Sequence, residues 1–387
     1  QLAHEIIEQF EPSANRTSLS TSAPASDILT LSYNQQALWF LSQFAPTSSA
    51  YNIYFAIRIT TPFSESALLE AVKMLLLRHP ALRSTFTTKN GQPIRQVQEL
   101  NENYFTHIDA SAWTDETLQT FLTNEAHTPF DLENGPIFRL TLCLRSAQEH
   151  ILLFAVHHIA VDIHSLLHFA DELQVLYPAA LNGRQPDLPA QAVPYSEYVQ
   201  YQADQLSPTR LEQLAAYWQK QLAGKATELN LPTDFPRTAV PGFHGDQYIF
   251  TLPPNLTAKV KSLSQASGTT LFVTLLTAFQ TLLYRYTQQD NILVGSPNAN
   301  RMHYKFQHSI GYFVNPLVFH ADFSPNITFD SLLKQTRQTV LNGLAHQDYP
   351  LQLLVEQLQP ERDSSRSPLF QVMFVFQKLH KLEALTP

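Results

Sequence analysis

The 387-residue chain carries 33 acidic against 25 basic side chains, a formal charge of −8, and 44% of its residues are hydrophobic. That negative balance argues against nucleic acid or an anionic membrane as the main partner, while the apolar share suits a globular protein with sizeable cores. The lone cysteine, Cys143, sits in an apolar run, cannot form an internal disulfide and reads as a core residue in a reducing, cytoplasmic setting.

No apolar run reaches membrane-spanning length and the N-terminus lacks a basic-then-apolar signal pattern. The length suits two lobes of under about 200 residues each. With 25 Pro against 10 Gly, many loops are stiffened by proline. No repeat at solenoid periods is visible.

In chain order, Leu2, Ile6, Ile7 and Phe10 share one side of a short helical pattern. A Ser/Thr/Ala/Pro tract to Asp27 follows as a linker, so residues 1–27 read as the tail of an upstream domain. Leu31–Leu41 is amphipathic with Ser32 as its N-cap. Tyr54–Ile59 alternates as a strand, and Ser66–Arg78 is a helix with Leu68, Val72, Leu75 and Leu76 toward a core. Arg78-His79-Pro80-Ala81-Leu82-Arg83 then places cations near that helix's C-terminal carbonyls. Phe130–Pro136 turns into a strand at Ile137.

The stretch Ile151–Val156 is apolar at every position, the pattern of a fully buried strand, and it runs into His157 and His158. Side chains alternate along a strand, so the two imidazoles point to opposite faces. One can then face a site, where a neutral imidazole is a natural general base near neutral pH. The plainer alternative is two buried, hydrogen-bonded histidines. A metal set of His157, His158, Asp162 and His164 is disfavoured, because the strand splits the pair and no closed ligand set exists. Ile159–Asp162 turns off the strand end, and Ser165–Leu181 reads as a helix.

Asn182–Ala192, rich in Pro, Gly and Asn, is the expected lobe boundary, giving lobes at 28–182 and 183–387. Helices follow at Thr209–Leu222, Thr257–Ala266 and Leu271–Tyr286, the last apolar enough to be read as buried all round. Asn291–Pro297 is a strand ending in a turn that delivers Arg301. Ile310–Phe319 reads as a strand, His346–Pro350 as a helix-to-loop turn, and Arg362–Phe374 as a polar loop running into a strand.

Seven of these segments resemble, in order, the motifs of nonribosomal peptide synthetase condensation domains, which belong to the chloramphenicol-acetyltransferase-like superfamily. They are Leu31–Leu41, Arg78–Phe86, His157-His158-x-x-x-Asp162, Pro194–Val199, Ile310–Asn315, His346–Pro350 and Arg362–Phe374. Ala37 stands where Arg is frequent, Glu197 where Asp is common, and Ile163 where Gly follows the motif's Asp. Ser165-Leu166 stands where an epimerisation domain has Ser-Trp.

The resemblance implies an α/β fold of two chloramphenicol-acetyltransferase-like lobes, a V-shaped pseudo-dimer around a central tunnel. It implies amide formation between a carrier-bound acyl thioester and a carrier-bound aminoacyl acceptor. Ala37, Ile163 and the N-terminal tail resemble a polyketide–peptide hybrid subset, so the expected donor is a polyketide or fatty acyl group. By carry-over His158 is the catalytic residue, as base or as amine-positioning acceptor. His157, Asp162 and Arg301 shape the site, with Asp162 and Arg301 paired across the lobes, and Ile163, His164, Ser165 and Asn315 line the tunnel. No metal or bound cofactor is expected, the substrates arriving on the 4'-phosphopantetheine of an upstream acyl-carrier and a downstream peptidyl-carrier domain. The rival readings are a catalytically silent module that recruits partner proteins, kept open by Ile163, and a coenzyme A-dependent acyltransferase of the same superfamily.

Overall fold

Strand β1 (Leu29–Thr30) leads through Ser32 into helix α1 (Tyr33–Phe44) in the computed structural model, which describes residues 29–189, 192–225, 227–238, 245–324, 327–360 and 365–377. The expected helix at Leu2–Phe10, its linker and Arg362–Ser364 lie outside the described residues. Ser32 closes a capping box: its Oγ accepts from the Gln35 N–H at 3.2 Å, and Gln35 Oε1 accepts from the Ser32 N–H at 3.4 Å.

Next come β2 (Asn52–Ile59), α2 (Glu65–Arg78), β3 (Ser84–Lys89), β4 (Gln92–Val97), β5 (Phe105–Asp109), α3 (Asp115–Ala126), β6 (Phe138–Ser146), β7 (Glu149–His157) and α4 (Ile163–Leu181). A three-stranded sheet has the order β1-β4-β3, and a four-stranded sheet the order β2-β7-β6-β5. The latter is antiparallel except for the β5–β6 pair. The apolar run of β7 has a direct cause, since both faces of this inner strand are covered. Leu152, Phe154 and Val156 join the main core, where Phe154 meets Phe138 and Phe169 edge-on at 5.1 and 5.2 Å. Ile151 packs on the opposite face with Cys143 and Leu118 of α3.

The second half contains α5 (Tyr195–Gln205), α6 (Pro208–Leu222), α7 (Pro254–Ala266), α8 (Leu271–Thr287), β8 (Asn291–Asn298), β9 (Asn315–Asp322), α9 (Phe329–Ala345) and α10 (Leu351–Leu358). β8 and β9 pair antiparallel, and residues 372–374 lie beside β8 through a parallel bridge between Gly295 and Met373. Leu214, Trp218, Leu276, Ile292, Val294 and Phe319 belong to a second core distinct from the first. The first core also takes in Tyr195, Tyr198 and Val199 of α5 and Phe306, Ile310 and Phe313, all later in the chain than the Pro-rich connection.

Three local expectations change. α8 is not buried all round, because Leu282 and Tyr286 face outward. The strand expected from Ile310 begins only at Asn315, since Gly311 and Phe313 bond across to Asp162 and Ser165 and not to a ladder. Helix α4 begins at Ile163 and not Ser165, because Asp162 is its N-cap. Among the described residues no single helix is long and apolar enough to cross a membrane.

Candidate functional site

β7 stops being a strand at the point where its two histidines diverge. The His157 N–H donates to Ile137 O at 3.0 Å, and the His158 N–H to Tyr51 O at 2.8 Å. A turn of 3₁₀ helix over His158–Ala160 then folds the chain back, so the two rings enter different surroundings.

His157 is 5% exposed, between Tyr51 and an edge-on Phe130. Its Nδ1 accepts the Ile159 N–H at 3.1 Å, so the ring proton sits on Nε2. Burial, helped by the neighbouring His158, pulls its pKa down to about 3, and the ring stays neutral.

His158 is half-buried and of the opposite tautomer. Its Nδ1 lies 2.7 Å from Val161 O, and a carbonyl only accepts, so Nδ1 carries the proton. In the neutral ring Nε2 then carries the lone pair, and no described residue hydrogen-bonds to it. Tyr312 stands against this ring at 5.0 Å in a T-shaped contact.

Asp162 spends its carboxylate on other groups than the two imidazoles. It is fully buried (0% exposed), and Oδ1 accepts from the Ser165 N–H and from Arg301 Nη2, each at 2.8 Å. Its Oδ2 accepts the Phe313 N–H at 3.3 Å. The ion pair expected between Asp162 and Arg301 is therefore present. Arg301 Nη1 also donates to Phe306 O and Ser309 O at 2.9 and 2.7 Å, and the guanidinium lies 3.9 Å above the Phe313 ring.

The tunnel set expected from the sequence splits in two. Ile163 is half-buried and His164 exposed at the start of α4, where both remain accessible. Ser165 and Asn315 are buried, and neither lines an open passage. The Ser165 hydroxyl lies 2.8 Å from both Asp162 Oδ1 and Gly311 O and accepts the Gly311 N–H at 3.0 Å. Asn315 Nδ2 donates to Gln347 O and Tyr349 O at 2.8 Å, and its Oδ1 accepts the Leu351 N–H at the start of α10.

Residues that sequence reasoning passed over hold this arrangement together. Tyr195 donates to Tyr312 O, and its hydroxyl lies 2.9 Å from Ser32 Oγ. Gly311 is required beneath it, since a Cβ there would fall 1.9 Å from the Tyr195 ring. Asn34 Nδ2 donates to Val314 O at 2.7 Å and Gln35 Nε2 to Ile159 O at 2.9 Å, joining α1 to both sides of the site. Tyr312 occupies the open place of Ile-Gly-x-Phe-Val-Asn, and nothing in periodicity marks it. Burial raises the phenol pKa of both Tyr195 and Tyr312.

The network thus clamps residues 311–313 from above and below, which sets Tyr312 as a wall beside His158. Among the described residues no cluster of three or more His, Cys, Asp or Glu side chains could hold a metal ion. The site thus sets one half-buried imidazole, His158, beside Tyr312, with the Ser165 hydroxyl taken up by Asp162, Arg301 and Gly311.

A family model described as "Condensation domain" matches residues 25–386. A linear gramicidin synthase of Brevibacillus parabrevis is 40% identical over 361 residues, covering 92% of this chain and 5% of that protein. The X-domain from teicoplanin biosynthesis superposes with a TM-score of 0.83 at 24% identity, over 92% of this chain and 78% of that one. A four-domain nonribosomal peptide synthetase superposes with a TM-score of 0.82 at 22% identity, over 94% of this chain and 28% of that one. At these identities the two structures speak for the fold alone. The chain spans only 5 to 8% of the length of the gramicidin synthase proteins it matches.

Proposed function

Because the chain belongs to the condensation-domain family, we propose that it forms an amide bond between two thioester-borne substrates, with His158 as the group that handles the amine proton. The acceptor's amine attacks the donor's thioester carbonyl. The C–N bond forms, the C–S bond breaks, the amine proton passes toward His158 Nε2, and the departing sulfur leaves as a thiol after protonation. The substrates arrive activated, so the protein's part is orientation and proton handling.

The observation that carries this reading is the His158 tautomer. Val161 O fixes the proton on Nδ1, leaving Nε2 as an acceptor beside Tyr312. His157 cannot take that part, because its Nδ1 is committed to Ile159 N–H and its Nε2 bears the proton. Asp162 and Arg301 position the segment that carries Tyr312 and act on the reaction only through it.

Each substrate rides the phosphopantetheine arm of a carrier domain, upstream for the donor and downstream for the acceptor. The donor is a polyketide-type or fatty acyl thioester, a reading supported by Ala37 in α1 and by Ile163 after Asp162. Ile163 is compatible with turnover. It is the first residue of α4, outside the positive-φ residues, so the backbone there does not require glycine.

The test is single-turnover amide formation from loaded donor and acceptor carriers. His158→Ala should lower the rate by about 10²–10⁴-fold, the usual worth of a positioned acid or base. Acyl-loaded donors should outperform aminoacyl-loaded ones. A preference for the α-amino donor would remove the acyl reading and leave the amide-forming one intact.

A further inference from the structure

The face of β7 opposite His158 opens onto a cavity of about 510 Å³, walled by Leu41, Phe44, Tyr51, Phe130 and Leu132, with His157 in its lining. That volume lies within the range of small-molecule pockets. The His157 ring is held from behind by the Ile159 N–H on Nδ1, which puts an N–H on Nε2. Among the described residues nothing accepts from that Nε2, and His157 belongs to the cavity lining, so its N–H is available to whatever occupies the cavity. An acceptor brought by a ligand would replace water on this N–H, the exchange that gives a hydrogen bond its net worth.

The charge pattern narrows what that ligand is. Asp131 and Glu133 also line the cavity. The Asp131 carboxylate is taken up by the Glu133 and Asn134 N–H groups and by Asn134 Nδ2, whereas no side-chain partner meets Glu133 among the described residues. The two acids disfavour an anion; Asp131 is already satisfied, and a cation cannot supply the acceptor that the His157 N–H would meet. The Tyr51 wall also ties the cavity to the reaction centre, because Tyr51 O accepts the His158 N–H at 2.8 Å.

We propose that this cavity is a substrate side pocket which receives a neutral, mainly apolar group bearing one hydrogen-bond acceptor, such as an aryl ether, a phenol or a ketone. The assignment of the group to a substrate rests on the condensation reading. The pocket itself does not.

The probes are 2-methoxynaphthalene and 2-ethylnaphthalene, close in shape and differing by one acceptor oxygen, titrated by ligand-observed NMR. The ether should bind about fivefold tighter, the usual net worth of one hydrogen bond. His157→Phe should erase that preference. Ser48→Trp, on the loop after α1, should fill the cavity and abolish binding of both probes with an unchanged melting temperature, which keeps the test decisive if His157→Phe does not fold. In turnover, Ser48→Trp should lower kcat/KM for carrier-borne substrates with an aryl-ether side chain while sparing those with a methyl side chain. Equal affinities in the parent protein, binding that survives Ser48→Trp, or unchanged aryl-ether turnover would each overturn the proposal. Absence of amide formation from every carrier pair, with the binding pattern intact, would overturn the condensation reading and leave the ligand pocket standing.

Discussion

At the scale of single residues, two adjacent histidines have opposite tasks, and a melt separates them. His157→Ala removes the acceptor for the Ile159 N–H and empties the space beside Phe130, so it should cost about 2–4 kcal/mol. His158→Ala loses one hydrogen bond from a half-buried ring and should cost about 1 kcal/mol or less while lowering turnover by about 10²–10⁴-fold. The reverse pattern in activity and melting would assign the roles the other way. His157 also sets a pH dependence. Its folded pKa, about 3, lies below the unfolded 6.5, so below pH 6.5 the unfolded chain binds a proton that the folded chain refuses. The ring's contribution is whole above pH 6.5 and is lost as pH falls toward 3, by about 1.4 kcal/mol per unit. His320, lowered by burial to about 4, adds in the same direction. Urea melts between pH 6 and 4 should show a shallower fall in stability for His157→Phe than for the parent; equal slopes would contradict a buried neutral ring.

At the scale of elements, the segment 311–313 behaves as a strap laid over the start of α4. Gly311 is the point at which it can be broken. Gly311→Ala puts a methyl into the Tyr195 ring, which must move and give up its bonds to Ser32 and to Tyr312 O. Overpacking of this kind costs about 1–3 kcal/mol, and the lost hydrogen bonds add to it. Tyr195→Phe keeps the close approach and should cost only the hydrogen bonds, so it should melt above Gly311→Ala; a lower melt would show that the hydroxyl matters more than the fit. The strap was poorly legible in the sequence. Ile310–Phe319 has the apolar content of a strand, and periodicity cannot reveal that Gly311 and Phe313 bond to side chains from 146 to 151 positions earlier. By contrast α1 was legible with its cap, because Ser32 and Gln35 satisfy each other within one turn. Asp162 belongs between these cases. Its place off the strand end was readable, but its capping of α4 moved the helix start two residues earlier than apolar spacing suggested.

At the scale of the whole molecule, Asp162–Arg301 joins the start of α4 to the segment that follows β8, with side chains only 0% and 7% exposed. The motif order along the sequence announced two lobes and this pair. It gave no sign that α5 and the 306–313 segment pack into the first core, because those contacts depend on long-range placement of Tyr195, Tyr198, Phe306 and Phe313. The pair's worth can be isolated by a double-mutant cycle. Asp162→Leu alone strands the guanidinium, whose side chain is 7% exposed, and also strips the Ser165 and Phe313 N–H groups of their acceptor. Arg301→Met alone leaves a carboxylate in a site with no solvent access and frees the carbonyls of Phe306 and Ser309. Each single change should cost about 3–5 kcal/mol, since a lone buried charge is far costlier than a pair. The double variant removes both charges together, leaving only the smaller penalty of the unpaired N–H and C=O groups. Its loss should fall short of the sum of the singles by at least about 2 kcal/mol, within the range of couplings measured for groups in contact. Additive losses within about 0.5 kcal/mol would mean that the two side chains act independently, and the contact would then not hold the strap in register with α4.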